Sequence, residues 1–396
     1  MIEKKKLAFL ALSIVMMLSI LTVAVFGQVP QRSDIYRYLS IFTEVFSLVR
    51  NNYVEEVAPE HLVEGAFSGV TDAVDEFSYY ISPSQMADYR AFTSIARSGV
   101  GLVVTKRYGY AYVIAAIESS PAAEAGIQSG DFIEQIDGQP TAKMAVWQIE
   151  SALEGKQGRP TSVVVLRGGM SKREEVSWVR KPFSPQAPTL DYYGAVAYIK
   201  IPYFSSGTAA RFAERLAEVR TSGKQKLIVD LRGNAGDNID EAIEAVDHLL
   251  ARGVITTLTG RRVDAKRWEA NPGTSYDGQV NVLVDTSTAS GAEIFAAGIL
   301  ENKRGGVVGI GTYGKAIVQR FIVLPSGGGL NMTIGHYTTP DLRLIKERGV
   351  RPDVMVDLTA SSVQEDPKKK EDVILKKALS LFGEPLPAAA AEKVAA

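Results

Sequence analysis

Between residues 190 and 358, short apolar runs alternate with amphipathic ones, and this alternation restricts the chain more than any other feature. Runs at 195–201, 226–230, 280–284 and 307–310 have the length and composition of buried strands. Stretches at 207–221, 239–251 and 292–301 carry apolar residues at helical spacing. Strand and helix in alternation predict a layered α/β domain. Two β runs (317–324 and 330–337), a basic helix over 372–382 and a Pro/Ala tail from 384 follow, the tail expected to be disordered.

The preceding segments have other characters. Residues 96–182 hold short β runs at 101–106, 111–117, 132–136, 162–167 and 173–179, punctuated by Asp137-Gly138 and Gly168-Gly169. One amphipathic helix, 146–153, lies among them, so this is a small β-rich module. Pro182, Pro185 and Pro188 make a stiff connector after it. Residues 34–95 read as helical, with an apolar stripe at Tyr38, Leu39, Phe42, Val45, Phe46 and Val49 and helix starts at Pro59 and Pro83. At the N-terminus, Lys4-Lys5-Lys6 precede an apolar run over 7–26. That run is near the ~20 residues that span a bilayer, and no small-residue cleavage site follows. An uncleaved anchor is favoured over a cleaved signal, with residues 30–396 outside the cytoplasm. The resulting division is 1–29 signal or anchor, 30–95 helical region, 96–182 β-rich module, 183–360 α/β core and 361–396 C-terminal helix and tail.

Net charge is −1, from 44 basic and 45 acidic residues, which gives no support for nucleic-acid binding. The chain has no cysteine, which excludes thiol catalysis and Cys-based zinc sites. His61, His248 and His336 are too scattered to suggest a metal site, and no cofactor is expected.

Chemistry concentrates where the 280–284 run gives way to a helix. Ser290 sits at that junction, and Lys315 follows the next apolar run. A serine hydroxyl needs a base to take its proton, and an unprotonated lysine is one such base. Plainer readings stand beside this one. Ser290-x-x-Glu293 before an apolar helix is also a capping box, Lys315 fits a solvated surface lysine, and Thr286, Ser287 and Thr288 are rival hydroxyls. The segment 309–315 fits the glycine and lysine positions of a P-loop, but Ala316 cannot ligate magnesium and a β-branched run follows in place of a helix.

The ordered motifs resemble the carboxyl-terminal processing proteases, tail-specific serine peptidases with an embedded PDZ domain. Tyr53-Val54-Glu55-Glu56-Val57 and Leu62-Val63-Glu64-Gly65-Ala66 look like that family's N-terminal helical region. Ser98-Gly99-Val100-Gly101-Leu102 is similar to the PDZ carboxylate loop. Ser119-Ser120-Pro121-Ala122-Ala123-Glu124-Ala125-Gly126-Ile127 and the stretch from Gly130 to Gly138 look like its helix, strand and turn. Asp230-Leu231-Arg232-Gly233-Asn234-Ala235-Gly236 resembles the family's glycine turn, and Tyr337-Thr338-Thr339-Pro340 and Gly349-Val350-Arg351-Pro352-Asp353 its C-terminal signatures.

The resemblance implies a crotonase- or ClpP-like α/β core beside the helical region and the PDZ-like module. It carries the nucleophile onto Ser290, the base onto Lys315 and a lysine-orienting amide onto Gln319. Four positions along a strand or helix put Gln319 on the same side as Lys315. The oxyanion needs two preorganised N–H donors. Gly291, at a helix start, is one, and Gly233 or Gly236 is the other. The backbone of Gly99, Val100, Gly101 and Leu102 is expected to hold a substrate's C-terminal carboxylate while the peptide adds as a strand. Leu102, Val104 and Ile149 either line the pocket for its last side chain or belong to the module core. The implied activity is an envelope serine endopeptidase acting on protein C-termini, anchored in the membrane and self-associating as a homo-oligomer. The alternative is a catalytically silent PDZ scaffold, motivated by Ala235 and Asp237 where the family has proline and a second glycine. Thr288-Ala289-Ser290-Gly291-Ala292 and Asp75-Glu76-Phe77-Ser78 also depart from the family pattern.

Overall fold

The computed structural model describes residues 14, 16–18, 33–94, 99–273, 276–346, 348–357 and 372–385. The 7–26 run, apart from residues 14 and 16–18, and the tail from 386 lie outside the described residues. The chain divides into two compact units, Met1–Phe67 and Ser68–Ala396. The first holds helix α1 (Ser33–Asn52), and helix α2 (Pro59–Asp72) runs across the boundary. Among the described residues no helix is long and apolar enough to cross a membrane.

In the second unit the α/β alternation builds a six-stranded sheet. Its strands are β8 (Thr189–Tyr193), β9 (Val196–Lys200), β10 (Lys226–Asp230), β13 (Gln279–Val284), β14 (Gly305–Gly309) and β17 (Val354–Met355). They lie in the order β17-β14-β13-β10-β9-β8. All are parallel except β8, which pairs antiparallel with β9. Alternate side chains go to opposite faces, as a period of two requires. Ile199, Val229, Val282 and Val307 pack with helices α6 (Thr208–Thr221), α7 (Ile239–Asp247) and α8 (Gly291–Glu301). Tyr198, Ile228, Leu283 and Val308 pack on the other face against Ile374, Leu375, Ala378 and Leu379 of helix α9 (Val373–Leu381). The segment read as a basic terminal helix therefore closes the second face of the sheet. It is fastened there by a buried ion pair. Burial opposes ionisation of Asp230, yet Arg232 holds its carboxyl below the usual range and reaches on to Asp372 at 2.7 Å.

Helix α7 ends four residues short of the expected 251, because Leu249 and Leu250 donate to Val246 and Asp247 in tightened turns. A second sheet comprises β1 (Tyr79–Ile81), β11 (Val254–Gly260), β12 (Val263–Glu269), β15 (Ile317–Val323) and β16 (Gly329–Thr338). Its order is β1-β16-β11-β12, with β15 also on β16. The β-rich module forms a third sheet, whose main strands are β2 (Leu102–Arg107), β3 (Tyr110–Ala116), β4 (Phe132–Ile136), β6 (Pro160–Arg167) and β7 (Lys172–Val179). They lie in the order β2-β3-β4-β6-β7, with β5 (Gln139–Pro140) on β4. Helix α3 (Met86–Ser94) precedes the module, and α4 (Pro121–Glu124) and α5 (Val146–Glu154) lie within it.

Candidate active site

Three loops leave the carboxyl ends of neighbouring parallel strands. The glycine turn follows β10, the Ser290 loop follows β13, and the Lys315 loop follows β14. Crevices at such strand ends are where open α/β sheets place their ligands.

Hydrogen bonds stitch the first two loops together. Asp285 Oδ1 accepts from the N–H groups of Gly233 at 3.2 Å, Ser287 at 3.0 Å and Thr288 at 2.9 Å. The Thr288 hydroxyl donates to the Leu231 carbonyl at 3.0 Å, and Ala289 N–H donates to Asn234 O at 2.9 Å. Thr288 is thereby committed to structure, and Thr286 is exposed. Ser290 is 5% exposed and adopts φ 58°, ψ −119°, a conformation that only glycine takes without strain. Its hydroxyl makes no capping bond, because Glu293 N–H goes instead to the Ser290 carbonyl at 3.1 Å. Half of the capping box exists, since the Glu293 carboxylate reaches back to Ser290 N–H. Capping thus leaves the hydroxyl unused.

Glu293 joins the third loop to the other two. Its Oε2 accepts from Ser290 N–H at 2.9 Å and from Lys315 N–H at 2.8 Å. Its Oε1 accepts from Gly314 N–H at 2.7 Å and the Thr312 hydroxyl at 2.5 Å. The two backbone nitrogens of the candidate dyad therefore share a single oxygen atom. Burial pushes the Glu293 carboxyl up to about 7, against four hydrogen bonds that favour its ionised form.

The Lys315 side chain is half-buried, with Nζ 5.5 Å from the centre of the Phe77 ring. Among the described residues no carboxylate pairs with that ammonium, and it makes no hydrogen bond with Ser290. Gln319 is exposed, and its amide donates to the Phe77 carbonyl at 2.8 Å. The even-step argument for Gln319 does not hold, because Lys315 precedes β15 and a register shift between Val318 and Gln319 resets the alternation. Gln319 and Lys315 both approach Phe77, the first at its carbonyl and the second at its ring. The P-loop reading fails as well, since strand β15 follows Lys315 where a helix is required.

Each expected oxyanion donor is already occupied. Gly291 N–H donates to the Gly236 carbonyl at 3.1 Å, Gly236 N–H to Asn234 Oδ1 at 3.0 Å and Gly233 N–H to Asp285. Asp237 lies outward, its carboxylate 3.5 Å from the Tyr203 hydroxyl.

The β-rich module packs on this site. Ile114 and Ala115 of β3 bury against Phe77, Ala235 and Ala289. The Tyr313 hydroxyl donates to Glu76 at 2.7 Å, Arg107 lies 4.7 Å from the centre of the Tyr112 ring and 5.3 Å from that of Tyr313, and the Thr105 hydroxyl donates to Glu76 O at 2.7 Å. None of Glu76, Phe77, Arg107 or Tyr313 stood out in the sequence. The one signal was the unusual Asp75-Glu76-Phe77-Ser78 segment.

Within the module, Gly99 and Gly101 take positive φ, and a Cβ on Gly101 would overlap Ser120. Among the described residues, the N–H groups of Val100 and Gly101 have no acceptor, although Val100 is 3% exposed. Strand β2, which continues this loop, is an edge strand. Val104 and Ile149 are fully buried in the module core, and Leu102 is half-buried against it. Of the expected pocket-lining residues, only Leu102 is left partly accessible. Ser98 lies outside the described residues.

Residues 195–356 match peptidase family S41, and residues 112–167 match the PDZ domain. The chain is 28% identical over 359 residues to the carboxy-terminal-processing protease of Bartonella bacilliformis, covering 89% of this chain and 83% of that one. It is 29% identical over 321 residues to the carboxyl-terminal-processing protease of Synechocystis sp., covering 78% and 75%. The chain has a peptidase family S41 domain and a PDZ domain, and these relatives are named as carboxyl-terminal processing proteases. It is a serine-type peptidase with a PDZ domain. Among solved structures, the photosystem II D1 C-terminal processing protease has the same fold, with a TM-score of 0.68 at 23% identity over 84% of this chain and 97% of that one.

Proposed function

We propose that Ser290 is the nucleophile and Lys315 the general base of this peptidase, and that its substrates are proteins held by their C-termini. The observation that carries this reading is Glu293, whose one oxygen accepts the backbone N–H of both residues. A neutral Lys315 takes the Ser290 proton as the hydroxyl oxygen attacks the peptide carbonyl. The leaving amine departs, and water hydrolyses the acyl-enzyme. Gln319 acts through Phe77, by holding the backbone of the residue whose ring faces Lys315. The oxyanion is served by Gly291 N–H once it leaves the Gly236 carbonyl, with Gly236 or Gly233 as partner.

The unpartnered N–H groups of Val100 and Gly101, flanked by Gly99 and Leu102, suit a C-terminal carboxylate, and edge strand β2 suits an added peptide strand. The reading also places the chain in the cell envelope, anchored by the 7–26 run, as a homo-oligomer, with the domain limits given above. Incubating the protein with an unfolded protein substrate tests the peptidase part. Turnover is expected in wild type and lost in Ser290→Ala, and equal turnover in both rejects Ser290 as nucleophile.

One observation favours a second reading, a silent scaffold that only captures C-termini. All three expected oxyanion donors are bonded within the protein. C-terminal peptide binding without any cleavage by wild type decides for it.

A further inference from the structure

Asp237 is a charge left unanswered beside the candidate reaction centre. It follows Gly236, whose carbonyl holds Gly291 N–H at 3.1 Å, so a single peptide bond separates it from the contact that the glycine turn makes with the residue after Ser290. Its carboxylate is exposed, and its one bond among the described residues comes from the Tyr203 hydroxyl at 3.5 Å. The cations at the ends of β9 and β10 are engaged elsewhere. Arg232 pairs with Asp230 and Asp372, and Lys200 pairs with Glu118 at 2.5 Å.

The topology fixes which half of a substrate passes Asp237. The strands run in the order β14, β13, β10, β9, so their loops stand in the order Lys315, Ser290, Asp237, Tyr203. A base that takes the serine proton returns it to the leaving amine, so the leaving half of the substrate lies toward Lys315. The β-rich module agrees with this, because Arg107 at the end of β2 touches Tyr313 in the Lys315 loop. A chain whose C-terminus is held by the module therefore reaches the serine from the Lys315 side. The acyl half continues the other way, over the glycine turn toward Tyr203. Neighbouring strands are ~5 Å apart and an extended peptide advances ~3.3 Å per residue, which puts the turn about two residues from the scissile carbonyl.

We infer that Asp237 selects substrates carrying a lysine or arginine about two residues before the cleaved bond. The inference rests on the Ser290–Lys315 reading above and adds a substrate class to it. A carboxylate at the rim of a crevice discriminates among partners by charge complementarity.

The test uses full-length protein and fluorogenic peptides amidated at the C-terminus, so that the carboxylate loop takes no part. Lysine or its neutral acetylated form is placed at each of three positions on either side of the cut. Wild type is expected to favour lysine about fivefold in kcat/KM at an acyl-side position, less so in 1 M salt. The ratio should fall to about one in Asp237→Asn, persist in Asp237→Glu and Asp240→Asn, and turn in favour of glutamate over glutamine in Asp237→Lys. A ratio taken within one variant is independent of its overall rate. Fluorescence anisotropy with Ser290→Ala, with and without Asp237→Asn, reads the same discrimination as a ratio of dissociation constants and needs no turnover. If wild type cuts no peptide while Ser290→Ala still prefers lysine through Asp237, the peptidase reading falls and this inference stands. Absence of discrimination in both assays shows a solvated carboxylate only and overturns it. So do a preference that survives Asp237→Asn, one confined to the leaving side, and one lost in Asp240→Asn alone.

Discussion

The Glu293 carboxyl is fully buried and faces three backbone N–H donors and one hydroxyl, so its two protonation states have different consequences. Ionised, it accepts all four hydrogen bonds; protonated, its hydrogen goes to the Thr312 hydroxyl oxygen, which must then turn its own hydrogen away. Burial nonetheless raises it from 4.5 to about 7 when the chain folds. A raised carboxyl contributes stability that is complete below pH 4.5 and is lost as pH rises through about 7. Denaturant midpoints of wild type should fall over that window by the equivalent of on the order of 3 kcal/mol, and those of Glu293→Gln should not. The form that organises the dyad is thus the less stable one. In Glu293→Gln an NH₂ group confronts backbone donors, and the misplaced loops should lower kcat by about 100-fold with KM little changed. Steady-state kinetics check this, and a kcat within threefold of wild type contradicts it. A second residue-scale prediction concerns Ser290 itself. Relief of its positive φ should make Ser290→Gly more stable than Ser290→Ala by about 1 kcal/mol, readable by thermal denaturation, with both variants inactive. The junction of an apolar strand and a helix made Ser290 legible in sequence, and the glycine before Lys315 marked its loop. Phe77 and Arg107 were not legible, because each meets the site only through contacts far along the chain, and Tyr313, although two residues before Lys315, shows its role only through its bond to Glu76.

The close packing of the glycine turn and the start of α8 rests on two glycines. A Cβ on Gly236 would overlap the backbone of Phe204, and one on Gly291 would lie 2.8 Å from Ala242 Cβ and 3.2 Å from Gly236 O. The first leaves no room for a methyl group unless the glycine turn and Phe204 move apart, and the second none unless α8 moves against α7. Gly291→Ala should therefore cost about 1–3 kcal/mol and shift the candidate oxyanion donor with it. Gly236→Ala should cost more, since backbone rather than a side chain must give way. Chemical denaturation orders the two, and the reverse order means that the turn yields more easily than α8. At this scale the central strands were readable because they are buried on both faces and run as continuous apolar stretches. Strands β11 and β12 escaped notice because β12 is mostly exposed and rich in charged residues. Helix α9 was expected as an element, but its role was hidden: nothing in a nine-residue helix tells which sheet face it will cover.

The module and the core share one apolar cluster, and that cluster lies between the two halves of the proposed activity. The proposed carboxylate site is at the Gly99–Gly101 end of β2, and Arg107 at the other end touches Tyr313, two residues before Lys315. A peptide added along β2 therefore runs from the loop that holds its terminus toward the loop that holds the base. In this docked arrangement Gly291 N–H is bonded to Gly236 O, which fits a resting state that substrate must open. One part of the fastening, the contacts of Arg107, is weak. The Arg107–Glu76 pair is about a third exposed, and with the ring contacts it is worth about 1 kcal/mol. Arg107→Ala should then raise hydrolysis of a short internal peptide roughly fivefold and leave binding of a C-terminal peptide unchanged, because Gly99–Gly101 is untouched. Fluorescence anisotropy and a quenched-peptide assay measure the two separately. If hydrolysis falls while peptide affinity holds, the docked module is the working state, and Arg107 serves to complete the Lys315 loop instead of restraining it.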